Sequence, residues 1–561
     1  MKDQRASPFF NRAAFIIVFC LFTCAFAQFK DIHILAINDF HGRISEGQKI
    51  GDRPAGGAAI LASYLKSEIA GNEDRTVIAE IGDLVGASEP ASSLLQDEPA
   101  VMFFNYLGNG NCPASNRLDP YNNLVGCLGN HEFDRGTDEL FRLINGGNHS
   151  KGPFLENPWK GAQFPVICAN ALNAETGMPL VYPYAVKKLK NSSVKVAFIG
   201  AILKETPSMV SASGVRGLIF VDEAQAINQQ VKILRENLGI HAFIVLLHQG
   251  DCQTYYSGPT DSTKEIPDRA LKNIIFTLDD DVDVVCAAHA HCFINALVPN
   301  KNGAKILVTQ AFAKGTAYAK IDLKIDTLTR DVVSKTARII TAYADAGPGL
   351  TPDSTVTVMV QNAKKMVAPI TDRLIGTATH AISAKQNSAG ESALGDLIAD
   401  AQRSVMSTDF AFMNPGGVRA NLDSGTVTWG ELYTIQPFGN YCVSMGLTGR
   451  QIYDVLNAQW ADPSDVKMLQ ISGLSYTWDN GRPPNDRVIE IRKNGVSINK
   501  NATYSVTVNS FLSTGGDNFP AFKNGTNNKN GPNDIDALVN YISKLPQPFA
   551  KTIDGRIVRR N

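Results

Sequence analysis

The stretch Leu124-Val-Gly-Cys-Leu-Gly-Asn-His-Glu-Phe-Asp134 decides the fold and the site that we predict for this chain. It begins as a strand-like apolar run, and Gly129 then permits a tight turn. An amide, an imidazole and a carboxylate follow the turn, on Asn130, His131 and Asp134, and can face one cavity. A strand that ends in such groups predicts metal binding or proton transfer at its carboxyl end.

Four further strand-like runs lead to side chains that can bind metal ions. The runs begin near residues 32, 76, 243 and 282, and the side chains are those of Asp39, His41, Asp83, His248, His289 and His291. Each motif alone is also typical of an ordinary turn or of a structural histidine. Their recurrence at successive strand ends favours one shared site. We predict that Asp83 bridges two ions, because each oxygen of a carboxylate can bind one metal.

This set of side chains suits hydrolysis at phosphorus. Two divalent ions about 3.5–4 Å apart can clamp a phosphoryl group, lower the pKa of a bound water and offset charge on the attacking and leaving oxygens. We expect His131 to donate a hydrogen bond or a proton to the phosphoryl oxygens or the leaving group, with Asp134 orienting it. The mixture of His, Asp and Asn suits zinc or manganese, with magnesium, cobalt or calcium as alternatives.

With these motifs the chain resembles the 5'-nucleotidase family of metallophosphoesterases, which includes UDP-sugar hydrolases and apyrases. The resemblance covers nearly everything after residue 27. It implies an α/β fold in which an N-terminal metallophosphoesterase sandwich of the βαββ type, with four layers, is joined by a helix to a C-terminal α+β domain. It also implies a metal-dependent phosphoric ester hydrolase that needs two divalent metal ions.

The resemblance assigns the metal ligands residue by residue. One ion is expected at Asp39, His41, Asp83 and His291, and the other at Asp83, Asn130, His248 and His289. His131 and Asp134 match the catalytic dyad of the family. The segment 287–291 departs from the family, because it reads Ala-Ala-His-Ala-His where relatives usually have Gly-Gly-His-Ser and then a polar ligand. The first ion therefore depends on His291 replacing a different ligand.

The second half of the chain carries candidate substrate residues. The turn Asn414-Pro-Gly-Gly-Val-Arg419 lets a ligand approach the backbone closely, and its arginine can pair bidentately with phosphate, although a plain surface loop is an alternative. The resemblance implies that two phenylalanines stack on a nucleobase, that an asparagine and an aspartate bind the nucleoside, and that arginines hold phosphate. These expected residues are Arg43, Asn414, Gly416, Gly417, Arg419, Phe438, Phe511 and Asp517.

One departure concerns the phosphate. Relatives commonly place arginines just before the motif that begins at Glu391, whereas residues 383–390 here contain a single cation, Lys385. Lysine is a point charge without the planar fork of arginine. We therefore expect phosphate affinity, or the preference among mono-, di- and triphosphates, to differ from that of the relatives, with Arg43 compensating in part.

Composition and the first residues suggest the compartment. A basic start is followed by an apolar run that closes on Ala25-Phe-Ala27, which predicts a signal peptide over residues 1–27; a retained anchor is the alternative. The 53 basic residues nearly balance the 54 acidic ones, which argues against a binder of nucleic acid polymers or membrane surfaces. We expect a periplasmic or secreted protein of the bacterial type without a membrane span in the mature chain.

Cysteine usage gives two disulfide predictions. The chain has nine cysteines, and seven remain when Cys20 and Cys24 are removed with the signal peptide, so at least one stays unpaired or links to another chain. Cys112 with Cys127 is the first expected pair. Cys252 with Cys292 is the second.

A chain of 561 residues exceeds what one hydrophobic core usually organises. We predict a signal peptide over 1–27, a catalytic metallophosphoesterase domain over 28–345, a linker with a helix over 346–372 and a nucleotide-binding domain over 373–561. The expected function is that of an exported dimetal 5'-nucleotidase that releases phosphate from nucleoside 5'-monophosphates. The alternatives are an apyrase, a UDP-sugar hydrolase, a 2',3'-cyclic-nucleotide phosphodiesterase and a secreted nucleotide-binding protein; monomer and homodimer both stay open.

Overall fold

The computed structural model describes residues 29–108, 116–190, 192–463 and 465–561. The predicted signal peptide, over residues 1–27, and Cys112 lie outside these ranges. Among the described residues, the N-terminal half forms two six-stranded sheets that pack face to face. In spatial order, the first sheet contains Val332–Thr341, Ala317–Asp326, Phe29–Ile37, Thr76–Glu80, Leu124–Cys127 and Val166–Ile167. The second contains Phe293–Pro299, Lys305–Ala311, Val282–Ala287, Phe243–His248, Lys195–Ile202 and Tyr184–Lys188.

Each sheet has four parallel strands that lie side by side, with antiparallel strands at an edge. All five strand-like runs of the sequence are strands, which confirms those predictions. In the strand Phe29–Ile37, Ile34 and Ala36 face the second sheet, whereas Leu35 and Ile37 face the helices on the outside. This alternation follows from the period of two in a strand, and it buries both faces of the sheet.

Helices cover the outer face of each sheet, so the order of layers is helix, sheet, sheet, helix. The helices of this half are Ala58–Ile69, Pro90–Ser93, Glu98–Leu107, Thr137–Asn145, Thr206–Met209, Glu223–Leu238 and Ala270–Thr277. The four-layer sandwich that the resemblance implies is therefore confirmed.

The predicted connecting helix is Ser354–Thr371. Asp353 caps it, because its carboxylate accepts a hydrogen bond from the backbone N–H of Val356 at 3.0 Å. Four apolar residues along one face, Val356, Val360, Ala363 and Val367, belong to the same core as the first sheet and its helices. The helix is thus part of the outer layer of the first domain; the predicted domain limits at 345 and 372 stay a prediction.

The C-terminal half contains a five-stranded and a four-stranded sheet with helices. The strands of the larger sheet, in spatial order, are Gln470–Ser472, Phe410–Met413, Thr503–Asn509, Tyr441–Thr448 and Thr526–Asn533. Those of the smaller sheet are Val496–Ser497, Val488–Lys493, Ser475–Asp479 and Ile557–Arg560. The helices are Ala393–Met406, Trp429–Ile435, Gly449–Asn457, Ser510–Ser513 and Asp534–Ile542. This is the α+β domain that was expected.

One disulfide prediction is confirmed and the other is wrong. Cys252 and Cys292 form a disulfide, with Cα atoms 5.0 Å apart. Cys127 is a free, buried thiol, which contradicts its pairing with Cys112. The physical reason is that Cys127 ends a central strand and points between the two sheets, where its Sγ lies 3.4 Å from the carbonyl oxygen of Leu246. None of the helices in the described ranges has the length and apolarity that a membrane span requires.

Candidate active site

The carboxyl ends of the parallel strands bring the predicted metal ligands together. Ligands are commonly bound at this edge of parallel sheets, because successive loops meet there. Here two sheets contribute. Within the first sheet, the backbone N–H of His41 donates to the carbonyl of Asp83 at 2.8 Å, and the next bond joins the second sheet to the first. The N–H of His289 donates to the carboxylate of Asp39 at 3.0 Å. Residues far apart in sequence therefore share one small volume.

The first group of ligand atoms comes from Asp39, His41 and His291, which lie within 4.8 Å of one another. Nε2 of His291 is 3.6 Å from Oδ1 of Asp39 and 3.0 Å from Nε2 of His41. The two alanines at 287 and 288 thus do not prevent His291 from reaching this group. Its role as a ligand stays a prediction.

The second group comes from Asp83, His248 and His289, again within 4.8 Å of one another. Oδ1 of Asn130 lies 3.0 Å from Nδ1 of His289. Oδ2 of Asp83 lies 3.3 Å from Nε2 of His248 and 3.7 Å from Nε2 of His41, so this oxygen stands between the two groups. That placement is what a bridging carboxylate requires.

A test of fit comes from His248, which is fully buried. Its Nδ1 lies 2.8 Å from the carbonyl oxygen of Ile81, which can only accept, so Nδ1 donates and Nε2 is the atom that can bind either a proton or a metal ion. Burial lowers the pKa of His248, but the charges of Asp83 and Asp39 outweigh it and raise the pKa to about 10, so the site favours a positive charge at Nε2. Nε2 has no hydrogen-bond partner in the described part of the chain. It faces the carboxylates of Asp83 and Asp39. A lone pair and two carboxylates around one point suit a cation, and His41 is held in the same way by the carbonyl of Gly86 at 2.8 Å.

The backbone at the site is strained. Five predicted ligands have φ between 50° and 73°, in the left-handed region that non-glycine residues seldom adopt: Asp39, His41, Asp83, His289 and His291. Such conformations cost free energy and persist where the surroundings enforce them, typically at functional sites. Gly129 completes the packing, because a Cβ atom there would collide with the carboxylate of Asp83.

Electrostatics also indicates a place for positive charge. Burial raises the pKa of Asp39 to about 7. For Asp83, burial alone would raise the pKa, but the charges of His248 and His131 outweigh it and hold the pKa well below its usual value. Burial lowers the pKa of His289 to about 3, helped by the charge of His248, so this imidazole is neutral as a metal ligand must be.

The predicted dyad is in place beside these groups. Nδ1 of His131 lies 2.8 Å from Oδ2 of Asp134. Burial by itself lowers the pKa of His131, but the charges of Asp134 and Asp83 outweigh it, and the pKa is raised above the ordinary value. A histidine that holds its proton near neutral pH can act as a hydrogen-bond donor or acid towards a phosphate.

The second domain contacts the dyad. The ring of Phe438 lies nearly parallel to the imidazole of His131, and the guanidinium of Arg419 lies 5.9 Å from the centre of the Phe438 ring. A hydrogen bond of 2.7 Å between the hydroxyls of Ser93 and Tyr433 joins the domains nearby. The structure therefore places two predicted substrate residues of the second domain beside the predicted dyad of the first.

Two further predicted substrate residues of the second domain, Asn414 and Asp517, are joined by hydrogen bonds. The Asn414 amide donates to Asp517 at 2.7 Å and accepts from Asn509 at 2.9 Å. Of the two glycines in the turn that begins at Asn414, Gly417 is buried and Gly416 is exposed. Phe511 packs against Gly516, where a Cβ atom would meet its ring at 2.5 Å. The Phe511 and Phe438 rings do not stack on each other in the residues that the structure describes.

Sequence reasoning missed two residues at the site. Glu132 accepts hydrogen bonds from the N–H groups of Gly129 and Asp83, at 2.6 and 2.9 Å, and so ties two ligand loops together. Its place inside the decisive stretch was the available signal. Lys314 follows a strand end, and its N–H donates to the carbonyl of Asp39 at 2.7 Å. Burial and the charges of Arg43 and Arg419 lower the pKa of Lys314 to about 8.

Comparison with known proteins defines the class. Residues 32–293 match the calcineurin-like phosphoesterase family, and residues 374–524 match the 5'-nucleotidase C-terminal domain. The fold and the matched family are thus those of a metallophosphoesterase. The chain belongs to the 5'-nucleotidase family of these enzymes and is a metal-dependent phosphoester hydrolase, as the resemblance implied.

Individual relatives are longer or more distant. The endonuclease YhcR of Bacillus subtilis is 36% identical over 536 residues, which cover 94% of this chain but 41% of YhcR. The cell wall protein Lmo0130 of Listeria monocytogenes is 31% identical, over 92% of this chain and 68% of its own length. The crystal structure of a 5'-nucleotidase precursor from Thermus thermophilus has a TM-score of 0.75 at 23% identity and covers 95% of this chain and 100% of its own.

Proposed function

We propose that this chain is an exported dimetal 5'-nucleotidase that releases phosphate from nucleoside 5'-monophosphates. The observation that carries the proposal is the contact of Phe438 and Arg419 with the surroundings of His131. An aromatic face and a guanidinium beside a phosphoester hydrolase centre suit a small substrate with a base at one end and a phosphate at the other.

Each group of residues at the site has a separate proposed role. The two ligand groups would hold divalent ions, zinc or manganese best matching the His, Asp and Asn donors. When bound, such ions clamp the phosphoryl group and lower the pKa of a water molecule. His131 holds a proton and directs Nε2 towards the phosphoryl oxygens or the leaving group, because Asp134 binds Nδ1. Arg43 and Arg419 bind phosphate oxygens, and Asn414 with Asp517 binds the nucleoside.

Export is supported by two observations of different kinds. The first residues have the pattern of a signal peptide. The disulfide between Cys252 and Cys292 suits an oxidising compartment, since cytosolic proteins seldom keep such bonds. The relative Lmo0130, which is called a cell wall protein, agrees with a periplasmic or secreted location.

A second candidate is cleavage of phosphodiesters, because YhcR is called an endonuclease. The formal net charge of −1 argues against affinity for a nucleic acid polymer, which usually depends on a basic surface. We therefore place monophosphate hydrolysis first.

One assay tests both candidates. The purified protein, loaded with zinc or manganese, is incubated with AMP, ADP, ATP, UDP-glucose, 2',3'-cyclic AMP and single-stranded DNA, with and without a chelator. We expect the highest kcat/KM for AMP and no phosphate release with the chelator. Cleavage of DNA without hydrolysis of AMP contradicts the proposal in favour of a nuclease. Tight binding of AMP without phosphate release indicates a nucleotide-binding protein.

A further inference from the structure

Three cationic side chains near the predicted metal ligands have no acidic partner in direct contact. In the described ranges, the side chains of Arg43, Lys314 and Arg419 form no ion pair and no hydrogen bond with a carboxylate. Arg43 is 4% exposed, and its Nε is buried without a hydrogen-bond partner. Glu89, whose charge acts on Arg43, already accepts a hydrogen bond from the N–H of Ser45 at 2.6 Å. The sequence analysis assigned Arg43 and Arg419 to phosphate, but not Lys314.

The backbone holds Lys314 against the ligand loops. Its N–H donates to the carbonyl of Asp39, and its φ of 59° is left-handed, as is that of Phe312 at 53°. The same segment is tied by the N–H of Ala311 to the side chain of Asn38 at 2.8 Å. It is also tied by the N–H of Phe312 to the carbonyl of Cys292, next to the disulfide. The backbone of Lys314 is thus held next to the loop that carries Asp39.

The charge of Lys314 acts on two neighbours of the same sign, Arg43 and Arg419. The charges of nearby aspartates act on Arg419 and that of Glu89 acts on Arg43, whereas the charges that act on Lys314 are those of the two arginines. Like charges in a half-buried place destabilise one another, and an anion that contacts Lys314 would relieve this. No described carboxylate is in hydrogen-bonding contact with any of the three. The anion that the proposed function supplies is the phosphate of the substrate.

We propose that Lys314 is a substrate-binding residue whose ammonium contacts non-bridging oxygens of a nucleotide phosphate, together with Arg43 and Arg419. The inference rests on the proposed function for the identity of the anion. It places a further phosphate contact on the first domain, next to the metal ligands. Lys385, the cation that precedes Glu391, is exposed and is the alternative candidate for the lysine that contacts phosphate.

The test uses the metal-loaded full chain and inorganic phosphate as the probe. Lys314→Asn removes the charge and suits the left-handed backbone, which asparagine tolerates better than most residues. Calorimetric titration should show phosphate binding weakened by about tenfold or more, the usual effect of a lost charge-assisted hydrogen bond. Lys314→Arg should restore most of the affinity. Lys305→Asn, at the exposed start of the strand that leads to this segment, is the matched control and should bind as the unmodified protein does.

Several results would overturn the proposal. They are phosphate affinity within twofold of the unmodified protein in Lys314→Asn together with an unchanged KM for ADP, or a loss of phosphate affinity in Lys385→Asn with none in Lys314→Asn. If Lys314→Asn and Lys314→Met both lose the metal ions, Lys314 supports the ligand loops and the proposal also fails. A protein that hydrolyses no nucleotide, but whose phosphate binding still depends on Lys314, contradicts the proposed function alone.

A kinetic comparison identifies the phosphate. If Lys314 contacts the group that is cleaved, KM for AMP and for ADP should rise by similar factors in Lys314→Asn. If it contacts a second phosphate, KM for ADP should rise and KM for AMP should not. An unchanged KM for both substrates counts against the proposal.

Discussion

The imidazole of His131 in the first domain lies nearly parallel to the phenyl ring of Phe438 in the second, with centroids 5.7 Å apart and planes inclined by 16°. At the edge of the same ring, Nδ1 lies 2.8 Å from Oδ2 of Asp134. The second domain therefore forms one wall around the proposed acid. We expect substrate that reaches His131 to contact Phe438 as well, so that both domains contribute to activity.

Replacement of His131 by alanine should separate catalysis from metal binding. Because the imidazole is proposed to serve the phosphoryl or leaving oxygen, we expect kcat for AMP to fall by about 10²- to 10⁴-fold. Metal content, measured by atomic emission, should stay unchanged. The imidazole also lies within 4.8 Å of ligand atoms of His41 and Asp83, so loss of metal ions in this variant would identify His131 as a ligand instead.

Replacement of His248 by asparagine should remove a metal ion as well as activity. Its buried, unpartnered Nε2 is proposed to bind one ion, so the variant should lose about one metal ion per chain. Mutation of a residue that only hydrogen-bonds a metal ligand typically lowers activity by roughly 10- to 100-fold. Because His248 is proposed as a ligand itself, kcat/KM of the variant should fall by at least this much. His241→Asn, on the segment that enters the same strand, is the matched control and should keep both ions. Full metal content in His248→Asn would remove this residue from the proposed ligands.

Replacement of Phe438 by leucine should weaken substrate binding. A lost stacking contact with a base typically costs about 1–3 kcal/mol, so KM for AMP should rise by roughly 5- to 160-fold, with a smaller change in kcat. Phe276→Leu, on an exposed helix position, serves as the control. A large fall in kcat at unchanged KM would show that Phe438 acts mainly on the orientation of His131.

Asp534 should make stability depend on pH. Burial raises its pKa from 3.8 to about 8, so the folded protein holds this proton more tightly than the unfolded chain does. The resulting stability is fully present below about pH 4 and is lost as the pH rises through about 8. Asp534→Asn keeps an acceptor for the N–H of Ile535 and removes the titration.

Thermal unfolding from pH 4 to 9 checks this. The difference in midpoint between Asp534→Asn and the unmodified protein should grow in favour of the variant as the pH rises. The exposed Asp52, in the N-terminal half, provides the control Asp52→Asn, which should follow the unmodified protein at every pH. A constant difference across the range would mean that Asp534 is ionised in the folded state at all of these pH values.

Much of the site could be predicted because its residues sit at the ends of strands. Alternating or continuous apolar runs locate a strand, and Asp83 or His248 then follows where the chain must turn. Parallel strands end at one edge of a sheet, so residues at these ends come together without any detailed knowledge of packing. The family motif supplied the remaining pairings as expectations.

Other features could not be read in this way. Lys314 lies in a segment without a motif, and only the hydrogen bond of its N–H to Asp39 reveals its place at the cleft. Cys127 was predicted to pair across a loop, but the direction of its side chain depends on which face of the strand meets the second sheet. The helix Ser354–Thr371 was correctly predicted as a helix, whereas its packing against the first core depends on surfaces formed by distant residues.

By itself, the sequence determined the strands, the turns after them and the chemical nature of the side chains at those turns, since these depend on local periodicity and on the conformations that glycine and polar residues allow. The tertiary structure alone decided that Phe438 lies against His131 and that the backbone N–H of Lys314 binds the carbonyl of Asp39. Contacts of this kind depend on how two domains and two sheets pack, and the free energy of packing is a property of whole surfaces rather than of neighbouring residues in the chain.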